Sequence, residues 1–340
     1  MRIILTGSEG YLGRVVGPWL SGLGHEVASV DIGLFSDHPA ELSECVDVRD
    51  LNVVDLVGYD CVVHLAGLSN DACADLQPSA AFAVNEHAAV RLAGVAKRAG
   101  LRGFIFASTC SVYGHAQDPC TEDDITAPLS RYARTKLAAE RGILAECSAG
   151  FSAVALRLGT VYGPSPGIRS DLVLNRMVAC GLFDGRVVVH GDGSQRRPMV
   201  HVREVAAAIE GILALLPALG GQIFNVAGER GNLRIRDIAE RVGEVLGATV
   251  TTENVMADPR DYVVDSTKLR SLGIRLDEDL EPAIIEMEHI FRERFGSLER
   301  TLGVPQNRAG AVAALMAAGT VDGGLRWRRD TESVRKRMAQ

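Results

Sequence analysis

The phenol of Tyr132 and the amine of Lys136 stand four residues apart in the stretch Tyr132-Ala-Arg-Thr-Lys-Leu-Ala-Ala-Glu-Arg141, which is rich in helix formers and free of proline. Positions four apart on a helix share a face, so the two groups are predicted to stand side by side. An ammonium beside a phenol favours phenolate, which makes the pair a candidate acid/base device. Lowering a phenol from about 10 to about 7 needs roughly 4 kcal/mol of differential stabilisation. One close cation in a poorly solvated pocket, with a second on a cofactor, can supply it. With six Tyr and four Lys in 340 residues, chance yields only about 0.07 such pairs. Upstream, the apolar run 104–107 ends in Ser108 and Thr109, hydroxyls placed to share a substrate proton with the phenol. Cys110 follows, as a packed thiol or as a further acid/base.

Other stretches must build the platform for that chemistry. Arg2 to Thr6 reads as a short strand, followed by Gly7, Gly10 and Gly13 and then a helix to about residue 23. Glycines in that order let a backbone approach a pyrophosphate at a helix N-terminus. The strand 25–31 ends in Asp31, whose carboxylate can take both hydroxyls of an adenosine ribose and would repel a 2′-phosphate, which favours NAD over NADP; Arg14 is a mild counter-signal. Residues 44–48 continue the strand alternation, with Asp47 positioned to accept from an adenine amino group. The strand 60–67 ends in Ala66 and Gly67, small enough for a cofactor to lie across its tip. A long helix is expected over 78–100, with Asn85 reaching the site or packing the helix.

The composition is 47% hydrophobic and 23% charged, as in a globular protein large enough for two lobes. A net charge of −7 gives no sign of a nucleic-acid partner. No apolar run reaches membrane-spanning length, and the first strand at Arg2 leaves no room for a signal peptide. Seven scattered Cys without a Cys-x-x-Cys, and eight His without ligand spacing, point to a reducing cytoplasm with no disulfide frame and no metal site. Strands alternating with helices predict a parallel sheet covered on both faces, with ligands at the carboxyl ends of its strands.

Taken together, Gly7-x-x-Gly10-x-x-Gly13, Asp31, His64-Leu-Ala-Gly67, Ser108-Thr-Cys-Ser-Val-Tyr-Gly114 and Tyr132-x-x-x-Lys136 resemble the extended short-chain dehydrogenases/reductases. Within these the chain is similar to the NAD-dependent sugar-nucleotide epimerase/dehydratase family, from residue 1 to about 295. The resemblance implies a Rossmann-like doubly wound sheet over 1–165, rejoined at about 198–227, and a smaller substrate-binding lobe from 166–197 and 228–295. It implies an NAD site from Gly7, Gly10, Tyr11, Leu12 and Gly13 at the first turn. Asp31, Asp47 and Val48 would hold the adenosine end. Leu65, Ala66, Gly67, Ser108, Tyr132 and Lys136 would hold the rest. Thr109, Tyr132 and Lys136 would be catalytic. Gly191-Asp-Gly-Ser-Gln-Arg-Arg197 and Asp258-Pro-Arg260 match the family's two diphosphate-gripping segments. Ser69, Thr109, Cys110, Ser111, Tyr132, Thr160, Arg169 and Asn175 complete the implied nucleoside-diphosphate-sugar site. A homodimer through the helices at 78–100 and 132–145 is also implied.

The family's dehydratases place an Asp-Glu pair where this chain has Cys110 and Ser111. The resemblance therefore implies epimerisation, at the 4-position, with NAD regenerated. A dehydratase, a decarboxylase, a ketoreductase or a non-catalytic NAD(H) sensor are the alternatives. From residue 165 to 193 the regular alternation lapses. Residues 296–340 lie beyond the resemblance; 309–318 reads as a short helix, and the basic stretch 326–337 as a solvated tail or a clasp on a partner subunit.

Overall fold

The computed structural model describes residues 1–35, 45–255, 258, 260–303 and 306–328. Its main sheet contains β1 (Arg2–Thr6), β2 (Glu26–Val30), β3 (Cys61–His64), β4 (Gly103–Thr109) and β5 (Ser152–Leu158). After β6 (Thr160–Tyr162), β7 (Arg186–His190) and β8 (Arg196–His201), the chain returns to this sheet as β9 (Ile223–Val226). The order is β2-β1-β3-β4-β5-β9, and every neighbouring pair is parallel. The chain runs outward from β1 to β2 and then returns to β3. The crevice between the carboxyl ends of β1 and β3 is therefore the place where a parallel sheet takes a ligand.

Burial on both faces explains why these strands read as nearly continuous apolar runs. Side chains alternate across the sheet. Ile3, Leu5, Cys61, Val63 and Ile105 point to one core, completed by Val16 and Leu20 of the helix Gly13–Gly22 and by Val205, Ile209 and Ile212 of the helix Val202–Leu215. Ile4, Val62, Phe104 and Phe106 point to the other, against Leu92 and Val95 of the helix Ala89–Arg98 and against Ala139 and Ile143 of the helix Arg131–Leu144.

A second body of structure sits over the carboxyl ends. β6 and β8 pair in parallel and β10 (Asn232–Arg234) joins β8 antiparallel, while β11 (Thr249–Glu253) pairs with β7. A separate core gathers the helices Val173–Asp184, Ile235–Leu246 and Leu280–Arg294 around Leu174, Val187, Ile238 and Phe291.

Four sequence expectations differ here. Residues 45–48 form no strand; the carboxylate of Asp47 accepts from the backbone N–H of Arg49 at 2.9 Å and closes a turn. The expected helix over 78–100 is α at Pro78–Ala81, π over Phe82–Ala88 and α again at Ala89–Arg98. Residues 165–193 hold a regular helix and β7, whose alternation was hidden by the Gly- and Pro-rich flanks. The short helix expected at 309–318 is present as Arg308–Ala317, but residues 326–328 are not part of a solvated tail: a turn bridged at Val321 and Trp327 packs, with Val312, Leu315 and Leu325, onto Leu68, Cys73 and Ala74. Residues 329–340 lie outside the described residues.

Candidate active site

Local structure places each reactive group. Ser130 caps the helix Arg131–Leu144 by accepting from Ala133 N–H at 3.2 Å, so Tyr132 falls in the first turn and Lys136 one turn later. β4 delivers Ser108 and Thr109 at its carboxyl end, where a short 3₁₀ turn, Cys110–Tyr113, begins. Asn85, on the π-helical segment, is buried beneath the loop after β3. Its side chain accepts from Leu68 N–H at 2.8 Å and donates to the Leu68 carbonyl at 3.1 Å and to the Thr135 hydroxyl at 3.2 Å. The extra residue of a π turn commonly serves such a site.

These groups line a cavity of about 900 Å³ running from the Gly-rich turn to the second lobe. Gly7, Gly10, Tyr11, Leu12 and Gly13 form one wall; Asp31, Asp47 and Val48 form the far end. Leu65, Ala66, Gly67, Ser69, Ser108, Thr109, Ser111, Tyr132, Lys136 and Thr160 line the middle. Arg169, Arg197 and Arg260 lie on the second-lobe side.

Two implied substrate contacts are corrected. Cys110 is fully buried, its thiol donates to the Arg157 carbonyl at 3.0 Å, and burial pushes the thiol far up from its usual range. It packs with Tyr113, Cys120 and Val264 and does not line the cavity. Asn175 is likewise outside it: its amide oxygen accepts from Gly163 N–H at 3.3 Å, and its nitrogen donates to the Arg169 carbonyl at 2.9 Å and to the Tyr11 hydroxyl at 3.3 Å.

The electrostatics differ from the simple phenol–ammonium device. Burial pushes the Tyr132 phenol up to about 12; Arg169, and a hydrogen bond with the Thr109 side chain, pull the other way. Lys136 is 5% exposed, and burial brings its amine down to about 7 against the opposing pull of Glu140. Its Nζ sits over the Phe106 ring, 4.0 Å from the centroid. Among nearby cations, the charge of Arg169 is what lowers the buried phenol in this structure. Arg169 is held by Asp171 at 2.5 Å and donates to the Ser69 hydroxyl at 3.0 Å.

The two candidate diphosphate arginines are similarly held. Arg197 pairs with Asp258 at 3.1 Å, while Arg260 pairs with Asp258 and, at 2.8 Å, with Asp71. Asp71 and Tyr262 also line the cavity and were not singled out from sequence. The Tyr262 hydroxyl lies 3.3 Å from that of Ser111. The signals available were faint: Asn70-Asp71 is a helix-capping pair, and Tyr262 is two residues after Arg260.

The family model for the NAD dependent epimerase/dehydratase family matches residues 3–227. This chain belongs to the NAD-dependent epimerase/dehydratase family. Among family relatives, an uncharacterized UDP-glucose epimerase of Bacillus subtilis is 29% identical over 80% of this chain and 92% of its own length. UDP-glucuronic acid decarboxylase 1 of Arabidopsis thaliana is 28% identical over 79% of this chain and 65% of its own. MoeE5, solved in complex with UDP-glucose and NAD, superposes with a TM-score of 0.75 at 28% identity, covering 86% of this chain and 99% of that one.

The epimerase/dehydratase family is NAD-dependent, and the Gly-rich turn fits the cofactor. A Cβ on Gly13 would lie 2.1 Å from the Gly7 carbonyl oxygen, and one on Gly7, whose φ is +74°, would lie 2.6 Å from Ala66 N. The turn thus packs backbone to backbone against the loop after β3 and on itself, leaving the crevice for the pyrophosphate. Asp31 accepts from Glu9 N–H at 3.0 Å and Gly33 N–H at 2.7 Å, which fixes its carboxylate at the end of β2. Asp47 is engaged otherwise than expected: Arg49 holds both its oxygens at 2.9 Å, and Arg326 adds a contact at 3.3 Å. Among the described residues no cluster of metal-ligating side chains occurs, and no helix is long and apolar enough to cross a membrane.

Proposed function

We propose that this chain is a nucleoside-diphosphate-sugar 4-epimerase. The observation that carries this is the pair of positions after Thr109: Cys110 is turned into the core and Ser111 faces Tyr262, so neither supplies a carboxylate. Eliminating water from C5–C6 of a sugar needs a second acid and base beside the tyrosine. Reversible oxidation at C4 needs only one acid/base, a hydrogen bond to the reacting oxygen and a hydride carrier. Tyr132 takes the proton of the 4-hydroxyl on its phenolic oxygen and returns it to the same oxygen after the sugar has turned over. Thr109 holds the reacting oxygen. Lys136, Asp31 and the turn Gly7–Gly13 are the residues that would hold NAD, which when bound accepts the hydride and gives it back. Arg197 and Arg260 take the diphosphate, for which the planar guanidinium suits two phosphate oxygens. The domain division follows the same logic, with 166–197 and 228–295 as the substrate lobe.

A second reading rests on Asp71. Its carboxylate borders the cavity, raises the Tyr132 phenol, and has a buried oxygen, Oδ1, with no hydrogen-bond partner. That oxygen would serve as the base of a dehydratase. Incubation with a panel of UDP- and dTDP-sugars, read by mass spectrometry and NMR, separates the two. A C4 epimer of unchanged mass, formed without accumulation of NADH, is expected. A product lighter by water, and lost in Asp71→Asn, supports the second reading; loss of carbon dioxide would exclude both.

We further place the protein in a reducing cytoplasm, on its seven free cysteines. We assign it a homodimer contact on the adjoining helices Ala89–Arg98 and Arg131–Leu144, which sedimentation velocity would test.

A further inference from the structure

Part of the wall of the cavity near Asp31 comes from residues outside the matched family model, which ends at residue 227. Arg308 and Leu325 line the same cavity as Asp31, Asp47 and Val48. MoeE5 is matched over 99% of its length by 86% of this chain, so the present chain carries length for which that structure has no counterpart.

Three independent sets of contacts seat this segment on the residues around the ribose-binding carboxylate. The indole N–H of Trp327 donates to the carbonyl of Ile32, next to Asp31, at 2.6 Å. Arg308 donates to the Phe35 carbonyl at 3.2 Å and to the Gly167 carbonyl at 3.0 Å, and its guanidinium lies 4.5 Å from the centre of the Phe35 ring. On the other flank Arg326 pairs with Asp47 at 3.3 Å and Asp50 at 2.5 Å, and Arg49 donates to the Gly324 carbonyl. Between these flanks sits Leu325, 1% exposed, with a φ of +57°. It is the only non-glycine residue with positive φ among the described residues. A branched side chain is held in that region only where surrounding contacts over-determine it. Here the Asp322 carboxylate accepts from Gly324 N–H at 2.8 Å and from Arg326 N–H at 2.9 Å, clamping the turn around Leu325. The conformation drives the leucine inward, toward the cavity, instead of outward to solvent.

We propose that residues 306–328 form the outer wall of the adenosine half of the NAD site, with Leu325 as its contact, and that this wall slows release of the dinucleotide. The segment bridges both sides of the adenosine end, from residues 32–35 to residues 47–50. A dinucleotide seated against Asp31 therefore leaves only when the turn at 320–328 lifts. The inference rests on NAD dependence and is independent of which sugar reaction follows, because release is measured with no sugar present.

The test uses the full-length protein loaded with NADH, whose fluorescence reports release when excess NAD⁺ is added. Leu325→Asp places a charge in an apolar seat, and Arg326→Glu repels Asp47 and Asp50. Each should raise the NADH dissociation rate by about tenfold or more, since changes at a binding surface act mostly on the off-rate. Adding Asp50→Arg to Arg326→Glu should restore slow release. Hydrogen exchange over 308–328 reports separately whether the turn has lifted. Unchanged NADH release with the turn lifted would overturn the proposal, leaving the segment a packing element only. Amides in the turn that exchange as slowly in both variants as in the wild type would overturn the role given to Leu325 and Arg326.

Discussion

Tyr132 and Lys136 share a helix face, yet burial acts on them in opposite senses: the phenol is pushed up to about 12 and the amine down to about 7. Removing only the phenolic oxygen, in Tyr132→Phe, should preserve NAD binding and lower turnover by about 10²–10⁴-fold, the usual contribution of a general acid/base. Equilibrium binding and steady-state rates on one preparation check both halves. Lys136 also has a stability consequence. Its amine titrates near 10.5 when unfolded and near 7 when folded. Between those values the unfolded chain binds more protons, so stability rises with pH across that window and is lost as pH falls through 7. Lys136→Met removes the titrating group and fills the same space. It should therefore be more stable than the wild type, without bound cofactor, at pH 6–7, and the gain should fade towards pH 10. Thermal melts across that range would show it; a variant less stable at pH 6 would contradict the sense of the shift.

At the scale of elements, the helix carrying Tyr132 is anchored by a buried ion pair. Glu140 meets Arg157 of β5 at 2.7 Å, with side chains only 1% and 4% exposed, and it also accepts from Ser108 Oγ at 2.6 Å. Arg157 continues to Tyr113 at 2.9 Å, and Tyr113 to Asn225 of β9 at 2.7 Å. One network thus ties the helix carrying Tyr132 to three neighbouring strands. Replacing one member leaves the other charge buried and uncompensated, so Glu140→Gln should cost about 3–5 kcal/mol, read by urea denaturation. A loss below about 1 kcal/mol would mean that the network is dispensable. The strands themselves were legible because the inner sheet faces are buried, so they read as apolar runs. The π turn around Asn85 was not, since a π turn has no composition of its own and depends on what the side chain reaches. Residues 326–328 were misread for a related reason: Trp327 is an apolar residue among arginines, and only its seat against the cluster of Leu325 shows that it packs.

At the scale of the whole molecule, the cleft brings together charged groups from three remote stretches. Arg197 and Arg260 face Asp258 and Asp71, and their guanidinium groups hold the Asp258 carboxyl down to about 2 despite its burial. If these arginines take the diphosphate as proposed, it must compete with the carboxylates for the same donors. Arg260→Ala should weaken UDP binding by about 1.5–3 kcal/mol, the worth of a hydrogen bond to a charged group, and weaken UDP-sugar binding in parallel. Calorimetry with both ligands measures this, and unchanged affinity would make Arg260 a structural partner of Asp71 alone.

The amino-acid sequence by itself determined the parallel sheet, the Gly-rich turn, Asp31 at the end of β2 and the Tyr132/Lys136 spacing. Each is a local pattern: a strand, its turn and the following helix lie within a few residues of one another, and helical periodicity sets which side chains share a face. Only the tertiary structure decided that Cys110 turns inward, that Asn175 serves Tyr11, that Asp71 reaches Arg260, and that Arg169 acts on the phenol. It also decided that Arg308 and Leu325 line the same cavity as Asp31, Asp47 and Val48. These depend on which surfaces meet after folding, between residues separated by many tens of positions. Burial, which sets both pKa and accessibility, belongs to the packed molecule and to no short stretch of chain.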